Sequence, residues 1–190
     1  DYKFVIVCGG GSIARKYMEA LKYEHKNEEE LSQVGMKATR MNAMFLIQFF
    51  GKEANKTLPK DMDEVESILH KNKVVICGAL RHEEKSTSDS TAAKLAHYFK
   101  SEFINLTNVA GLYSADPKTH KNAVFIPNIN WSDFKKMAHK IKHEPGQHFV
   151  LDQKTSTIIK ENRIKTCIIG RNLKNLENAL LKKPFKGTII

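Results

Sequence analysis

Short apolar runs alternate along the chain with longer segments in which apolar residues recur every three or four positions. Because buried strands are short and continuous, the runs predict strands, which fall at 4–8, 74–77, 103–107, 124–127, 165–169 and 187–190. The longer segments predict helices, which begin near residues 12, 31, 61, 88, 131, 152 and 173. Strands that alternate with helices predict an α/β fold with a mainly parallel sheet and helices on both of its faces.

The segment 31–50 is the longest of the predicted helices. Apolar residues follow one of its faces or widen it, namely Val34, Ala38, Met41, Met44, Phe45, Leu46, Ile47 and Phe49. An apolar face of this width predicts a helix that is buried on more than one side. Polar and turn-forming residues between the elements predict the connections, which are a charged bend at 22–30, a loop at 79–88 and turns at 108–113 and 144–146.

Three successive glycines, Gly9, Gly10 and Gly11, separate the first predicted strand from the first predicted helix. Glycine tolerates positive φ and lets a ligand approach the backbone closely. The unpaired N–H groups and the dipole at a helix start favour an anion. Arg15 follows Gly11 by about one helical turn, where its guanidinium can reach the same anion. The segment therefore predicts a phosphate cradle.

Other interpretations of this glycine segment differ in what else they require of the chain. The spacing of Gly9, Gly11 and Ala14 satisfies a loose dinucleotide fingerprint, but that site needs a second strand ending in an acid about 20 residues on. The acids at 28–30 lie in a charged segment with no apolar run before them. A P-loop needs Gly-Lys-Ser/Thr after the glycines, which is absent. A tight strand–helix turn that binds no ligand stays open.

Composition limits the class of protein. A chain of 190 residues with 41% hydrophobic content can bury the core of one domain or of two, and its net charge of +10 favours anionic ligands. We expect no nucleic-acid partner, because aromatic residues do not interleave with the basic ones. We expect no membrane partner, because no stretch of about 18 apolar residues occurs. Cys8, Cys77 and Cys167 lie far apart, which predicts reduced thiols in a cytoplasmic protein without a metal site.

Four stretches taken together resemble the archaeal-type UMP kinases of the amino-acid kinase superfamily. They are residues 7–17, 35–44, 107–117 and 158–166, ahead of the closing 187–190, and the similarity covers essentially the whole chain. The resemblance implies one amino-acid kinase-like domain over 1–190 with a three-layer sandwich fold. It implies phosphoryl transfer from ATP to UMP with Mg²⁺ bridging the phosphates, and a homo-oligomer, a hexamer in this family.

The resemblance also implies roles for individual residues. It assigns catalysis to Arg15 and Asp89. It assigns the UMP site to Gly10, which would lie against UMP, to Ser32, and to Thr87 and Ser88, which would hold the UMP phosphate. ATP binding falls to a larger set, comprising Gly11, Arg15, Thr107, Asn108, Tyr113 and Asp116.

The chain departs from the family's pattern at several positions. Ser32 stands where the family usually has a ribose-binding aspartate, Ala110 replaces an aspartate in the nucleotide loop, and Thr157 replaces a lysine. The loop 78–86 is longer and more charged than its counterpart. The family's opening strand, with its Gly-Gly-Ser phosphate loop, has no match, and the chain begins without methionine, so we expect that residues preceding Asp1 are missing.

The alternative function is that of a catalytically impaired kinase-fold protein. Such a protein would bind a nucleotide or another anion in a regulatory or structural role. Each departure removes a charge or a rigid turn from a site that depends on electrostatics. In the plainest interpretation Thr87, Ser88 or Asp89 is only the cap of the next helix.

Overall fold

The structure is a computed structural model that describes residues 2–81, 86–140 and 150–190. The chain divides into two compact units, Asp1–Ala92 and Ala93–Ile190. The single domain expected over 1–190 stays a prediction. No helix in the described residues combines the length and the apolar character needed to cross a membrane.

The first unit pairs two parallel strands with the helices that connect them. Its elements are β1 (Phe4–Val7), α1 (Gly11–Tyr23), α2 (Glu28–Phe50), a 3₁₀ turn (Gly51–Glu53), α3 (Met62–Lys71), β2 (Val74–Cys77) and the start of α4 (Ser88–Tyr98). Strands β1 and β2 are parallel, with Phe4 opposite Val74 and Val7 opposite Cys77. A connection of this length between parallel strands requires crossover helices, and here it contains α1, α2 and α3.

Helix α2 begins earlier than its sequence pattern indicates. The chain was expected to bend through 22–30, yet α1 continues to Tyr23 and α2 starts at Glu28. The cause is a capping box, in which Asn27 Oδ1 accepts from Glu30 N–H at 3.0 Å and Glu30 Oε2 accepts from Asn27 N–H at 3.1 Å. The acidic residues of the first turn also complement the positive end of the helix dipole.

The prediction that α2 is buried on more than one side is wrong for the isolated chain. Its buried residues are Leu31, Ala38, Thr39, Ala43 and Ile47, most of them small enough for close backbone packing. The larger apolar residues stay exposed, namely Met41 at 49%, Met44 at 38%, Phe45 at 71% and Phe49 at 78%. Apolar periodicity identifies a helix face that other apolar groups can bury. It does not show whether those groups belong to the same chain or to another molecule.

The second unit contains the remaining strands and helices. Its elements are β3 (Phe103–Thr107), β4 (Leu112–Tyr113), β5 (Phe125–Ile126), α5 (Trp131–Lys140), α6 (Gln153–Glu161), β6 (Thr166–Gly170), α7 (Leu173–Leu180) and β7 (Gly187–Ile189). Strand β6 pairs in parallel with β3 and antiparallel with β7. The parallel pairs in both units agree with the α/β fold expected from sequence.

One predicted turn contains a short strand, and another lies outside the described residues. The turn expected at 108–113 contains the short strand β4, which pairs with β5 in antiparallel orientation. A two-residue strand leaves no periodicity in the sequence, because only its distant partner defines it. The turn predicted at 144–146 lies outside the described residues.

Candidate functional site

The glycine turn joins β1 to α1 through a conformation that needs glycine at two positions. Gly11 has φ +61°, in the left-handed region. Gly10 directly precedes the helix, and its carbonyl accepts from Ala14 N–H at 3.1 Å. A Cβ built on Gly10 would lie 2.4 Å from the Ala14 Cβ, so the start of α1 leaves no room for a side chain there.

Side chains of helix α2 form hydrogen bonds with the backbone of the loops that follow β1 and β2. Asn42 Nδ2 donates to the Gly9 carbonyl at 2.8 Å. Thr39 Oγ1 accepts from Ala79 N–H at 2.7 Å. The Arg40 guanidinium donates to the Ala79 carbonyl at 3.1 Å and to the Pro59 carbonyl at 2.9 Å. One helix therefore positions the backbone at the carboxyl ends of both strands.

Gly78, which follows β2, lies directly against the backbone of α2. A Cβ on Gly78 would sit 2.6 Å from the Arg40 nitrogen and 2.7 Å from the Arg40 Cα. Strand and helix can approach this closely only because residue 78 lacks a side chain. This contact brings Ala79 within reach of the hydroxyl of Thr39 and the guanidinium of Arg40.

Sequence reasoning assigned no role to Thr39, Arg40 or Asn42, although all three lie in the block 35–44 that carries the family resemblance. Their signal was present as polar side chains next to the apolar residues Ala38, Met41 and Ala43. Each of them bonds to backbone atoms 19 to 40 residues away, and such partners leave no sequence pattern.

The start of α4 lies beside the glycine turn. Thr87 caps this helix, since Ser90 N–H donates to Thr87 Oγ1 at 3.0 Å and Thr87 N–H donates to Ser90 Oγ at 2.9 Å. A Cβ on Gly9 would contact Ser88 Oγ at 3.4 Å, which shows how closely the two segments approach. Asp89 lies half-buried in the first turn of α4.

A cleft of about 450 Å³ opens between these elements in the first unit. Four residues expected to bind substrate line it, namely Gly10, Ser32, Thr87 and Ser88. Three other predicted residues, Gly11, Arg15 and Asp89, are outside its lining. The rest of the wall comes from α1, α2 and the loop after β2, and it includes Ala14, Met18, Lys22, Glu28, Leu31, Met36, Leu80 and Arg81.

Two helices, α1 and α4, begin at one end of this cleft. Their first N–H groups and their dipoles favour an anion at that end. Arg81 also lines the cleft, and its guanidinium pairs with Asp61 at 2.7 Å. The hydrogen bond from Glu64 N–H, together with the charge of Arg81, lowers the pKa of Asp61. The two helix starts therefore suit a phosphate at this end of the cleft.

The two thiols beside the glycine turn are unsuited to nucleophilic chemistry. Burial raises the pKa of Cys77 to about 12 and also raises the pKa of Cys8. A thiol with so high a pKa stays protonated near neutral pH. The groups left for chemistry at this end of the cleft are backbone N–H groups, hydroxyls and cationic side chains.

Four of the residues expected to bind ATP lie on one segment of the second unit, whereas Gly11 and Arg15 belong to the first unit. Thr107 ends β3 opposite Gly170 of β6, and the exposed Asn108 follows it. The Tyr113 ring packs edge-on against the Phe125 ring, with centroids 5.3 Å apart. The Asp116 carboxylate accepts from Lys118 N–H at 2.9 Å and so orders the turn after β4.

Gly111 holds this segment against β7. A Cβ there would lie 2.8 Å from Thr188 Oγ1 and 2.9 Å from the Phe125 ring. Thr188 Oγ1 accepts from Leu112 N–H at 2.7 Å and donates to the Ile126 carbonyl at 2.6 Å. The hydroxyl of Thr188, which the sequence did not single out, thus joins β4 to β5.

The matches to known proteins cover most of the chain. The model of the amino acid kinase family matches residues 1–170. The uridylate kinase of Archaeoglobus fulgidus is 34% identical over 186 residues, which are 97% of this chain and 83% of the relative. The uridylate kinase of Thermococcus kodakarensis is 30% identical over a match of 191 aligned positions, which covers 100% of this chain and 84% of the relative.

Solved structures agree with these matches. The crystal structure of uridylate kinase from Archaeoglobus fulgidus superposes with a TM-score of 0.88 at 33% identity, and the match covers 100% of this chain and 85% of that one. The UMP kinase of Bacillus anthracis superposes with a TM-score of 0.78 at 19% identity, covering 96% and 76% of the two chains, and shows the fold alone. Both confirm the α/β amino-acid kinase fold expected from sequence. The chain therefore belongs to the amino acid kinase family and, within it, to the archaeal-type uridylate kinases.

Proposed function

We propose that this chain transfers the γ-phosphoryl group of ATP to UMP and yields UDP and ADP. The uridylate kinases that it resembles at 30–34% identity support this activity. The observation that carries it is the cleft of the first unit, where the glycine turn and the starts of α1 and α4 surround space for a phosphate.

In this proposal the uridylate phosphate binds where α1 and α4 begin. Gly10 offers an unobstructed backbone, Ser88 offers its N–H group and hydroxyl, and Thr87 offers the hydroxyl whose oxygen also caps α4. This assignment is supported by the close packing of Gly9 against Ser88. It is also supported by the hydrogen bond from Asn42 to the Gly9 carbonyl, which holds the glycine turn in place before the substrate binds. Preorganised donors of this kind stabilise charge without reorganising during the reaction.

Arg15 lies one turn into α1 with an exposed side chain. We assign to it the transferred phosphoryl group, whose charge spreads over three oxygens in the transition state. A uridylate oxygen forms the new bond to phosphorus while the bond from that phosphorus to the bridging oxygen of ADP breaks. Asp89, in the first turn of α4, is assigned to organise the donors around it.

ATP binding is assigned to Gly11, Arg15 and the segment after β3, with Thr107, Asn108, Tyr113 and Asp116 as its contacts. Backbone bonds already order this segment, since Asp116 closes its turn and Gly111 packs against Thr188. Mg²⁺ commonly binds through substrate phosphates with only one or two carboxylates. In the described residues no three His, Cys, Asp or Glu side chains cluster as a metal cage, which fits an ion that arrives with the nucleotide. When bound, it would neutralise phosphate charge.

A phosphotransfer assay that couples ADP formation to a signal tests the function. Purified protein with ATP and Mg²⁺ should turn over UMP faster than any other nucleoside monophosphate, with UDP as product. Arg15→Ala should lower kcat by roughly 100-fold or more, because it removes charge stabilisation from the transition state. Lys16→Ala is the matched control, since Lys16 is the next residue and is exposed too, and it should stay near wild type.

Tight nucleotide binding without turnover of UMP would instead favour the alternative, a kinase-fold protein with a regulatory or structural role. Binding measured by calorimetry separates the two outcomes, because it does not depend on catalysis. Loss of both binding and turnover would refute both functions. The uridylate kinase relatives favour the enzyme.

We further propose a homo-oligomer, with the exposed face of α2 as one of its interfaces. Met41, Phe45 and Phe49 follow one another at four-residue spacing on that face. A second copy of this chain is the partner that we assign to this face, because exposed apolar patches mark protein–protein contacts and the resemblance implies a homo-oligomer. The hexamer expected from the family would use this two-fold contact together with others.

A cytoplasmic location is part of the proposal. The three cysteines are free thiols and sit buried or half-buried. Reduced thiols of this kind are typical of a reducing compartment.

A further inference from the structure

We infer that Arg40 is a positioning residue for the nucleoside monophosphate, because its guanidinium holds the loop after β2 in the place where Leu80 lines the cleft of the first unit. The inference rests on the proposed function, since it names a residue that prepares the UMP site without touching the nucleotide. Arg40 is outside the lining of the cleft, whereas its neighbour Thr39 and its partner Ala79 are part of that lining.

The Arg40 side chain joins two segments that are far apart in the sequence. Its Nη1 donates to the Pro59 carbonyl at 2.9 Å and to the Ala79 carbonyl at 3.1 Å, and its Nη2 donates to the Leu58 carbonyl at 3.5 Å. Leu58 and Pro59 lead into α3, and Ala79 belongs to the loop after β2. One guanidinium therefore keeps the loop after β2 at a fixed distance from the segment that precedes α3.

An ion pair attaches the same two segments on the other side of Leu80. Asp61, the N-cap of α3, pairs with the Arg81 guanidinium at 2.7 Å. Arg40 and Asp61 thus hold the loop at residues 79 and 81, and Leu80 lies between these two attachments. A wall residue that is held on both sides keeps its position before the ligand binds, so less conformational entropy is lost on binding.

Arg40 provides the stronger of the two attachments. The Arg81 side chain is 80% exposed, and an ion pair in contact with water contributes little to holding a loop. Arg40 is half-buried, and hydrogen bonds from a charged donor are stronger than those between neutral groups. Thr39 adds to the attachment of Arg40, because its hydroxyl accepts from Ala79 N–H at 2.7 Å.

The partners of Arg40 are backbone groups, so the attachment depends on the side chain at residue 40 and on no other. Substitutions at Leu58, Pro59 or Ala79 leave the carbonyl acceptors in place. The loop also meets α2 at this same position, since a Cβ on Gly78 would lie 2.6 Å from the Arg40 nitrogen. The place of the loop relative to α2 is therefore set by the backbone and the side chain of one helix residue, and a substitution there isolates the effect.

Calorimetry with UMP and the coupled assay test the inference on Arg40→Met, which removes the donors and keeps an unbranched side chain. The dissociation constant and the KM for UMP should rise roughly 10-fold, the effect of one hydrogen bond from a charged group. The kcat should stay within about twofold of wild type, because a displaced wall weakens binding of the ground state and of the transition state alike. The KM for ATP should also stay, because Arg40 bonds to none of the residues assigned to ATP.

Lys37→Met is the matched control. Lys37 is an exposed cation one turn earlier on α2 and is outside the lining of the cleft, so this variant should keep the wild-type affinity for UMP. Leu80→Ala keeps the inference testable if Arg40→Met does not fold, because it shortens the wall itself and should weaken UMP binding directly. If Arg40 acts through Leu80, Arg40→Met should lower the affinity less in the Leu80→Ala background than in wild type. Wild-type affinity in Leu80→Ala would refute the inference.

Failure of the inference and failure of the proposed function give different results. If UMP is phosphorylated and Arg40→Met binds UMP as tightly as wild type, the inference is wrong and the function stands. A variant whose kcat and both KM values worsen alike would also refute the inference, since a general loss of structure has that effect. If wild type binds UMP, Arg40→Met weakens that binding, and neither protein phosphorylates UMP, the inference stands and the function is wrong. Absence of UMP binding to wild type would overturn both.

Discussion

Asn42 on α2 donates a hydrogen bond to the carbonyl of Gly9 across 2.8 Å, although 33 residues separate them in sequence. This bond fixes the first glycine of the turn that joins β1 to α1. Asn42→Ala should lower the free energy of unfolding by about 1 kcal/mol, the usual net contribution of one hydrogen bond. It should also raise the KM for UMP, because the phosphate donors lose their preset geometry. Gln48→Ala, an exposed change on the same helix, should alter neither quantity; equal losses in the two variants would contradict the role of Asn42.

Gly78 should tolerate no side chain. In Gly78→Ala the added Cβ would overlap the backbone of Arg40, which cannot rotate away as a side chain can. We expect roughly 1–3 kcal/mol of destabilisation or more in denaturant unfolding. Gly35→Ala is the control, because its Cβ would approach only the flexible thioether of Met18, at 3.3 Å. Alanine favours helix over glycine by roughly 0.5–1 kcal/mol, so that variant should stay close to wild type. Equal destabilisation of the two would refute the close approach of β2 to α2.

The cap of α3 should give a pH-dependent contribution to stability. Asp61 Oδ1 accepts from Glu64 N–H at 2.9 Å, and this bond is the main reason why its pKa is lowered. A lowered pKa means that the folded state favours the carboxylate, so the contribution is present above the unfolded pKa of about 3.9 and is lost as pH falls through the folded pKa. Asp61→Ala should therefore lower Tm at pH 7, with a smaller difference from wild type near pH 3. Asp61→Asn keeps the cap acceptor without the charge, so its difference from wild type should be smaller at pH 7.

The three cysteines should react slowly in the folded protein. Burial raises the pKa of Cys77 to about 12 and that of Cys167 to about 11, and it raises the pKa of Cys8 as well. Alkylation with iodoacetamide at pH 8, followed by mass spectrometry, should modify them much more slowly than in denaturant. Rapid modification of Cys77 in the native state would contradict the burial of β2.

The exposed face of α2 should govern assembly. Phe45→Glu and Phe49→Glu place charges in the proposed apolar centre, so each should shift the protein to a smaller species in light scattering. Tyr23→Glu is the control, since Tyr23 is 78% exposed at the end of α1 and lies outside that face. A wild-type protein that is monomeric at micromolar concentration would refute the interface.

Local patterns in the sequence were enough to find most elements, because continuous apolar runs and helical periodicity mark them directly. The early start of α2 could have been read from Asn27 and Glu30, whose spacing is that of a capping box. Strand β4 could not have been read from the sequence. Leu112 and Tyr113 form a strand only because they pair with Ile126 and Phe125. The exposure of Phe45 was unreadable for a different reason: an apolar stripe looks the same whether its own chain or a second molecule covers it.

Sequence and resemblance together identified part of the candidate site and missed the rest. Gly10, Ser32, Thr87 and Ser88 were singled out from residues and resemblance, and the structure brings them to one cleft. Thr39, Arg40 and Asn42 were missed because they act on backbone groups of distant loops. Glu28 was counted only as part of a charged bend, since its place in the cleft depends on how α2 packs against α1. The roles of all these residues stay predictions until the variants are measured.

The hydrogen bonds to the backbone of Ala79 affect which sequence changes the loop after β2 can accept. Thr39 and Arg40 bind the N–H and the carbonyl of residue 79, so this attachment needs no particular side chain at that position. Thr87 and Ser90 secure the other border of the loop through their own reciprocal bonds. Insertions and charge changes between these two fixed borders can therefore accumulate without displacing either strand end or helix start. Leu80, Arg81 and Ser86 belong to this loop and line the cleft, so the loop offers a position where substrate preference can evolve independently of the fold.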